Sequence, residues 1–205
     1  MKASSPLKKF DPKDRIVRVV FENNKKLLMS KLFAYRSAYS EENAFKTRIM
    51  SFIATHSDCF ERSCREGHIT GSAWLVNPDG TKVLLTHHRK LNRWLQPGGH
   101  SDGDADTAAV ALREATEESG IPNIHFVSTD IFDLDIHPIP ENATKGEGAH
   151  LHYDIRFLLQ APTEDFVVSS ESDALRWMSL SNLKRMHAQL TPSMIRMIEK
   201  WQKNS

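Results

Sequence analysis

Residues 95–122 read LQPGGHSDGDADTAAVALREATEESGIP, and this stretch decides the fold. The Pro-Gly-Gly sequence at 97–99 predicts a turn whose backbone can approach a ligand closely, because glycine has no side chain. Asp106 is a favourable N-cap for the helix that the next residues predict, and Gly120 stands where that helix would end. The stretch therefore predicts a glycine-rich loop that leads directly into one bounded helix.

Three glutamates project from one face of this predicted helix. Glu114, Glu117 and Glu118 occupy the i, i+3 and i+4 positions, where like charges destabilise a helix by about 0.2–0.5 kcal/mol per pair. Arg113 can neutralise Glu117, from which it is four positions away. A divalent cation, Mg²⁺ or Mn²⁺, explains the cluster better, because these ions prefer oxygen ligands. The alternative is a solvated acidic face without a ligand.

The spacing of these residues resembles the Nudix box. That pattern is a glycine, five residues, a glutamate, seven residues, and then Arg-Glu, a hydrophobic residue, any residue, Glu-Glu, any residue, Gly and a hydrophobic residue. The chain matches it at Gly99 and over 113–121, REATEESGI, and departs from it at Ala105, which stands at the first glutamate position. The resemblance implies the α/β class and, from Gly67 to roughly Trp201, a Nudix-type α/β/α sandwich with a mixed sheet.

The resemblance also implies roles for the residues of the box. The backbone carbonyl of Gly98 and the carboxylates of Glu114, Glu117 and Glu118 would bind Mg²⁺ or Mn²⁺, and Glu117 and Glu118 would take part in catalysis. Arg113 would orient the glutamates. The implied reaction is hydrolysis of a diphosphate linkage in a nucleotide or nucleoside diphosphate derivative.

Ala105 removes a glutamate that helps to support the metal cluster in the family. Asp102, Asp104 and Asp106 flank this position and are candidates to replace it, although an aspartate is one methylene shorter. Two other functions stay open, and Ala105 bears on the second of them. One is an isomerase of the isopentenyl-diphosphate type, and the other is a non-catalytic nucleotide-binding sensor with the same fold.

The general base in this family often lies outside the box, on a loop before a late strand. Glu171 lies six residues before Trp177, in the loop segment 169–173, and is the candidate for that base. A solvated loop acid is the alternative reading. Glu141 and Glu147, in a loop punctuated by proline and glycine, are the next candidates.

The segment 150–157 alternates between polar and apolar side chains. In a strand, the alternation places His150, His152, Asp154 and Arg156 on one face, where they would line a phosphate or metal pocket or form an ordinary solvent face. A basic cluster that includes Arg89 precedes the box, Trp94 is a candidate to stack on a base, and His100 follows Gly99. The candidates for substrate binding are thus Arg89, Trp94, His100, His150 and His152.

The period of the hydrophobic pattern divides the chain into two parts. Residues 1–66 predict a helical extension, with one helix over 16–32 and a second over 40–56 that is capped by Ser40, and residues 67–205 predict the catalytic domain. In that domain, strands are predicted at 70–76, 82–86, 125–133, 150–160 and 174–178, the first two joined as a hairpin. Helices are predicted at 106–119, 181–189 and 192–203.

Composition limits the classes of partner. The chain has 205 residues and a formal net charge of +1, so a nucleic acid polymer is not expected, and a small-molecule nucleoside diphosphate derivative is the expected partner. No apolar run is long enough for a membrane span or signal peptide, which predicts a cytoplasmic protein without a membrane partner. Cys59 and Cys64 are expected to be reduced, and both precede the box, whereas the isomerase chemistry relies on a cysteine near the active site. The helical extension is compatible with a homodimer.

Overall fold

The computed structural model describes residues 15–88, 93–142, 146–167 and 172–204. The helices are α1 (Arg15–Ala34), α2 (Ser40–Thr55), α3 (Thr107–Ser119), α4 (Leu180–Arg185) and α5 (Pro192–Asn204), with a short 3₁₀ helix at His187–Gln189. The strands are β1 (Gly67–Val76), β2 (Lys82–His88), β3 (Arg93–Leu95), β4 (Gly98–His100), β5 (His125–Phe126), β6 (Asp133–Ile139), β7 (His150–Gln160) and β8 (Ser172–Ser179).

The described strands form one mixed sheet with β1 and β7 at its centre. These two long strands run parallel, in a register that pairs His68 with His152 and Val76 with Gln160. The predicted hairpin is confirmed, because β2 is antiparallel to β1 and also pairs with β3 and β8. The short strand β4 pairs with β1, and β5 and β6 pair with β7.

Helices cover both faces of the sheet, each over its own hydrophobic core. The first core joins the sheet to α1, α2 and α3, and includes Leu32, Phe52, Ala111 and Ile155. The second joins the opposite face to α4 and α5 through side chains such as Trp74 and Trp201. The architecture is therefore the predicted α/β/α sandwich with N-terminal helices.

The helices that precede β1 are part of the first core. Leu28 and Leu32 of α1 and Ile49 and Ile53 of α2 are almost completely buried there. The division of the chain after residue 66 stays a prediction. None of the helices in the described ranges is long and apolar enough to cross a membrane.

Several local features differ from the sequence-based expectations. The helix expected over 181–189 is α4 followed by a separate 3₁₀ helix. Ser40 is the first residue of α2 rather than its cap, and Tyr39 holds the N-cap position without a side-chain hydrogen bond. The single strand expected over 125–133 is two strands, β5 and β6, because the chain leaves the edge of β7 after residue 126 and returns at Asp133. The three-residue strands β3 and β4 were not predicted.

Candidate active site

Helix α3 is fixed on the sheet by a glycine contact and by its two caps. A Cβ atom at Gly71 of β1 would lie 2.6 Å from the Thr107 carbonyl oxygen, so only a glycine lets the helix approach this closely. The Asp106 carboxylate accepts a hydrogen bond from the Ala109 N–H at 3.1 Å, and Gly120 ends the helix with a φ of 67°. Both predicted caps are confirmed, and they set the position of the glutamates along β4.

The glycines of β4 bring the backbone against two of these glutamates. Gly99 pairs with Gly71, and a Cβ atom at Gly99 would lie 2.5 Å from the carboxyl carbon of Glu114. The Gly98 N–H donates a hydrogen bond to Glu118 Oε1 at 2.9 Å. Glu117 is exposed. Two carboxylates of α3 therefore face the glycine-rich strand, and the third faces solvent.

Arg113 contacts both elements of the site. Its guanidinium donates to Glu114 Oε1 and to the His100 carbonyl oxygen, each at 3.1 Å. The expected ion pair with Glu117 is therefore replaced by one with the adjacent glutamate. Burial raises the pKa of Glu114 above its usual range, and the charge of Glu117 acts in the same direction, while Arg113 opposes them. The ion pair with Arg113 therefore offsets the cost of burying this carboxylate only in part.

The second feature next to the loop is a group of histidines on the other face of β4. His68 of β1 pairs with His152 of β7, and the His100 ring lies 4.9 Å from His68 and 5.0 Å from His152, measured between centroids. The His150 ring is 4.9 Å from His68. Burial, together with neighbouring positive charge, lowers the pKa of His68 and of His100 to about 4. For His152, burial and the other imidazoles lower the pKa to about 2. His68, His100 and His152 are therefore uncharged at neutral pH.

Beyond the histidines, the same face of β7 carries a buried network of charged groups. Asp154 accepts hydrogen bonds from the hydroxyls of Thr70 and Ser72, each at 2.8 Å, and from Arg156 Nε at 2.7 Å. Arg156 also contacts Asp133 and Asp135 of β6. The predicted alternation of β7 is confirmed, and the alternative of an ordinary solvent face is wrong, because Asp154 and Arg156 are buried.

A family model of the NUDIX domain matches residues 68–201. The chain belongs to the Nudix family. Its sequence is 29% identical over 99 residues to a probable DHNTP pyrophosphohydrolase of Lactococcus lactis subsp. cremoris (strain MG1363), a match that covers 47% of this chain and 56% of that protein.

Solved structures of Nudix proteins are similar at lower identity. A NUDIX-family hydrolase from Clostridium perfringens superposes with a TM-score of 0.49 at 22% identity, covering 69% of this chain and 99% of that one. The E. coli dihydroneopterin triphosphate pyrophosphohydrolase superposes with a TM-score of 0.48 at 18% identity, covering 67% of this chain and 96% of that one.

Ala105, the residue at which this chain departs from the Nudix box, lies in the protein interior. Ala105 is 1% exposed and belongs to the first core, where α1 of the N-terminal extension is also packed. The flanking aspartates already have partners: Asp102 binds Arg62 through both carboxylate oxygens, Asp104 accepts from the N–H of Asp106, and Asp106 caps α3. A glutamate at this position would have to place its charge in an apolar core.

The donor set of the box fits a hard divalent cation. Glu114 and Glu118 supply carboxylate oxygens where α3 faces β4, and Gly98 supplies a backbone carbonyl on that strand. The exposed Glu117 adds a carboxylate from the same part of α3. Oxygen ligands of this kind are those that Mg²⁺ and Mn²⁺ prefer. Because Gly99 has no side chain, the Glu114 carboxylate can lie against this strand in the space that a Cβ atom would fill.

The remaining predicted residues are less closely grouped. Trp94 is partly buried and packs beside His87 and Arg176, and the Arg176 Cζ atom lies 5.5 Å from the centroid of the Trp94 ring. Glu141 is exposed, and Glu147 pairs through its backbone with Asn142. Arg89 and Glu171 lie outside the described residues, so their predicted roles in substrate binding and as general base stay predictions.

His68 is the residue of this region that sequence reasoning missed. The signal was present in the alternation of His68, Thr70 and Ser72 with the apolar or small residues between them, which places these three on one face of β1. The parallel pairing with β7 continues that face across the two strands.

Proposed function

We propose that this Nudix protein is a divalent-metal-dependent hydrolase that cleaves a diphosphate linkage in a nucleotide or nucleoside diphosphate derivative. The observation that carries the proposal is the position of Glu114 and Glu118 against the glycine-rich strand β4. This arrangement gathers oxygen donors at one place on a scaffold that belongs to a hydrolase family.

The residues of the box have distinct tasks in this proposal. The carboxylates of Glu114, Glu117 and Glu118 and the Gly98 carbonyl would hold Mg²⁺ or Mn²⁺. When bound, such an ion neutralises charge on the phosphates and lowers the pKa of a water molecule. Because the Gly98 N–H already binds Glu118, that carboxylate is oriented before any substrate arrives.

Arg113 is a positioning residue. Its two hydrogen bonds tie the Glu114 carboxylate to the His100 carbonyl, so the helix and β4 are held at a fixed separation. A shift of that separation would move oxygen donors relative to the substrate, and small misplacements of reacting groups slow enzymes strongly. The general base remains the prediction made for Glu171, and the histidines and Trp94 remain candidates for substrate contact.

The choice of a small phosphorylated substrate is supported by the name of the relative from Lactococcus lactis. That protein is described as a probable DHNTP pyrophosphohydrolase, and a pyrophosphohydrolase reaction agrees with the donor chemistry of the box. The cytoplasmic location and the homodimer remain predictions.

The isomerase alternative is disfavoured by the state of the cysteines. Cys59 and Cys64 are both free and buried, and burial raises the pKa of the Cys59 thiol to about 12. A thiol with so high a pKa is a poor acid–base or nucleophilic group at neutral pH. The sensor alternative keeps one argument, the absence of a glutamate at Ala105.

The test is hydrolysis of a substrate panel in the presence of Mg²⁺ or Mn²⁺. The panel contains nucleoside triphosphates, dinucleoside polyphosphates, ADP-ribose and nucleotide sugars. Glu118→Gln should lower turnover on any active substrate about 100-fold or more, because it removes a charged metal ligand while keeping the shape of the side chain. Glu22→Gln on the exposed surface of α1 is the control and should retain the wild-type rate. Tight nucleotide binding without any turnover would instead establish the sensor, and an unchanged rate in Glu118→Gln would remove this glutamate from the metal site.

A further inference from the structure

We propose that His68, His100 and His152 form a binding site for a borderline transition-metal ion such as Zn²⁺, separate from the glutamates of the Nudix box. Each residue comes from a different strand, respectively β1, β4 and β7. One ligand nitrogen from each imidazole lies within 4.8 Å of the other two. The three strands are hydrogen-bonded neighbours, so the backbone fixes where the side chains begin.

The distances lie within reach of metal coordination. Zinc binds histidine nitrogen at about 2.0–2.1 Å, so two nitrogens at tetrahedral angles lie about 3.4 Å apart. The histidine nitrogens, now within 4.8 Å of one another, would have to approach by up to about 1.4 Å, a distance on the scale of a side-chain rotation.

The buried nitrogens of this group lack other partners. His68 is 3% exposed, and neither of its ring nitrogens has a hydrogen-bond partner within the described part of the chain. The same holds for Nε2 of His152. Buried polar atoms are nearly always satisfied by a hydrogen bond, water or an ion. Unsatisfied imidazole nitrogens in a cluster whose ligand atoms lie within 4.8 Å of one another are the arrangement that a metal ion would complete.

Two further histidines surround the site, each with one ring nitrogen already engaged. His150 Nδ1 donates to the Gly148 carbonyl at 2.8 Å, which leaves Nε2 as the nitrogen with a lone pair. His137 Nδ1 donates to Asp135 at 3.1 Å, and the same Asp135 carboxylate is held by Arg156 at 3.0 Å. Histidines whose second nitrogen is bound to a carbonyl or carboxylate are typical of metal centres. His150 is the nearer of the two to His68 and is the candidate fourth ligand.

The donor chemistry separates this site from the box. Imidazole nitrogens favour Zn²⁺, Co²⁺, Ni²⁺ and Cu²⁺, whereas carboxylate and carbonyl oxygens favour Mg²⁺ and Mn²⁺. Along β4, Gly99 faces Glu114, so the side chain of the next residue, His100, lies on the opposite face of the strand. The nearby charges are largely balanced, since Arg62 and Asp102 form a two-point ion pair beside the cluster.

A metal at this site would join β4 to the two central strands. Because His100 follows Gly98 and Gly99, the ion would fix the end of β4, the strand whose backbone faces Glu114 and Glu118. We therefore expect bound Zn²⁺ to raise the thermal stability of the protein whether or not substrate is present.

The experiment uses the full chain without an added polyhistidine tag, first stripped of metal with a chelator. Titration calorimetry with ZnCl₂ should give one tight site per chain, and Co²⁺ should show the visible absorption of a nitrogen-coordinated ion. His152→Gln and His100→Gln should each weaken Zn²⁺ binding about 100-fold or more and abolish the Zn²⁺-dependent rise in melting temperature. His125→Gln, at an exposed histidine of β5, is the matched control and should bind Zn²⁺ as the wild type does.

Glu118→Gln separates this inference from the proposed hydrolase function. That variant should retain Zn²⁺ binding even though it loses turnover, and excess Mg²⁺ should not displace the bound Zn²⁺. Equal Zn²⁺ affinity in the wild type and in the folded histidine variants, or no Zn²⁺ uptake by the wild type, would overturn the site. If His152→Gln does not fold, the half-buried His100→Gln decides the question.

Discussion

Replacement of Arg156 by methionine should destabilise the protein severely. Arg156 is 2% exposed, and its guanidinium donates to Asp154 at 2.7 Å, to Asp135 at 3.0 Å and to Asp133 at 3.3 Å. Methionine keeps much of the volume of the arginine stem, so the substitution mainly removes the positive charge. The change therefore leaves three buried carboxylates without the cation that lies among them.

The magnitude follows from which carboxylates keep a second cationic partner. Asp133 is still held by Arg196 and Lys200, whereas Asp154 keeps only uncharged donors among the contacts described above. Removal of one partner from a buried ion pair costs about 3–5 kcal/mol. For a chain of about 200 residues, each kcal/mol lowers the melting temperature by about 2–4 °C, which predicts a fall of about 6–20 °C.

The assay is urea unfolding at neutral pH, followed by circular dichroism and by tryptophan fluorescence. Arg18→Met on the exposed surface of α1 is the control and should change the free energy of unfolding by less than about 0.5 kcal/mol. Combining Arg156→Met with Asp154→Asn should restore part of the loss, because it removes one of the uncompensated charges. A loss below about 1 kcal/mol for Arg156→Met alone would refute the view that this network is energetically coupled.

Two further substitutions test other parts of the structure. Burial opposes ionisation of Glu42, but its hydrogen bonds, above all the one from Lys200, lower its pKa to about 2. The ionised carboxylate therefore adds about 3 kcal/mol to the free energy of unfolding above pH 4.5, and this contribution is lost as the pH falls towards 2. The melting-temperature difference between wild type and Glu42→Gln should accordingly shrink from pH 7 to pH 3, and a constant difference would contradict the assignment. Gly99→Ala should displace the Glu114 carboxylate and weaken Mn²⁺ binding about tenfold, measured by calorimetry, with little loss of stability. Gly148→Ala has no atom within 4 Å of the new Cβ and should leave Mn²⁺ affinity unchanged.

The sequence predicts the long elements well because each of their faces meets a different environment. The alternation of side chains in β7 correctly predicts that one face of the strand is apolar, because Tyr153, Ile155 and Phe157 lie in the first core. The strands β3 and β4 have three residues each, which is too short for a hydrophobic period to be detected. The cap of α2 is also beyond sequence pattern, because a serine fits equally well before a helix or as its first residue.

The candidate site divides in the same way between local and distant residues. The charged residues of the box lie within two turns of one helix, so their spacing in the sequence is enough to place them together. These residues are Arg113, Glu114, Glu117 and Glu118. His68 and His152 are far apart in the chain and meet only through the parallel register of β1 and β7. A strand pattern does not specify which strands become neighbours, and for that reason the histidine cluster emerges only from the fold.

Carboxylates are stabilised in two different ways in this chain of near-neutral net charge, one in the interior and the other on α3. In the interior, the guanidinium groups of Arg156 and Arg196 and the ammonium group of Lys200 lie directly among acidic side chains. On α3, the Glu118 carboxylate faces a backbone N–H, and Arg113 contacts Glu114. Burial raises the pKa of both Asp133 and Glu114 in spite of their cationic partners, but the Asp133 side chain is fully buried, whereas the Glu114 side chain is 19% exposed and can be reached by an ion. We therefore expect the hard cation of the proposed function to bind at the box, and the buried network to contribute to stability.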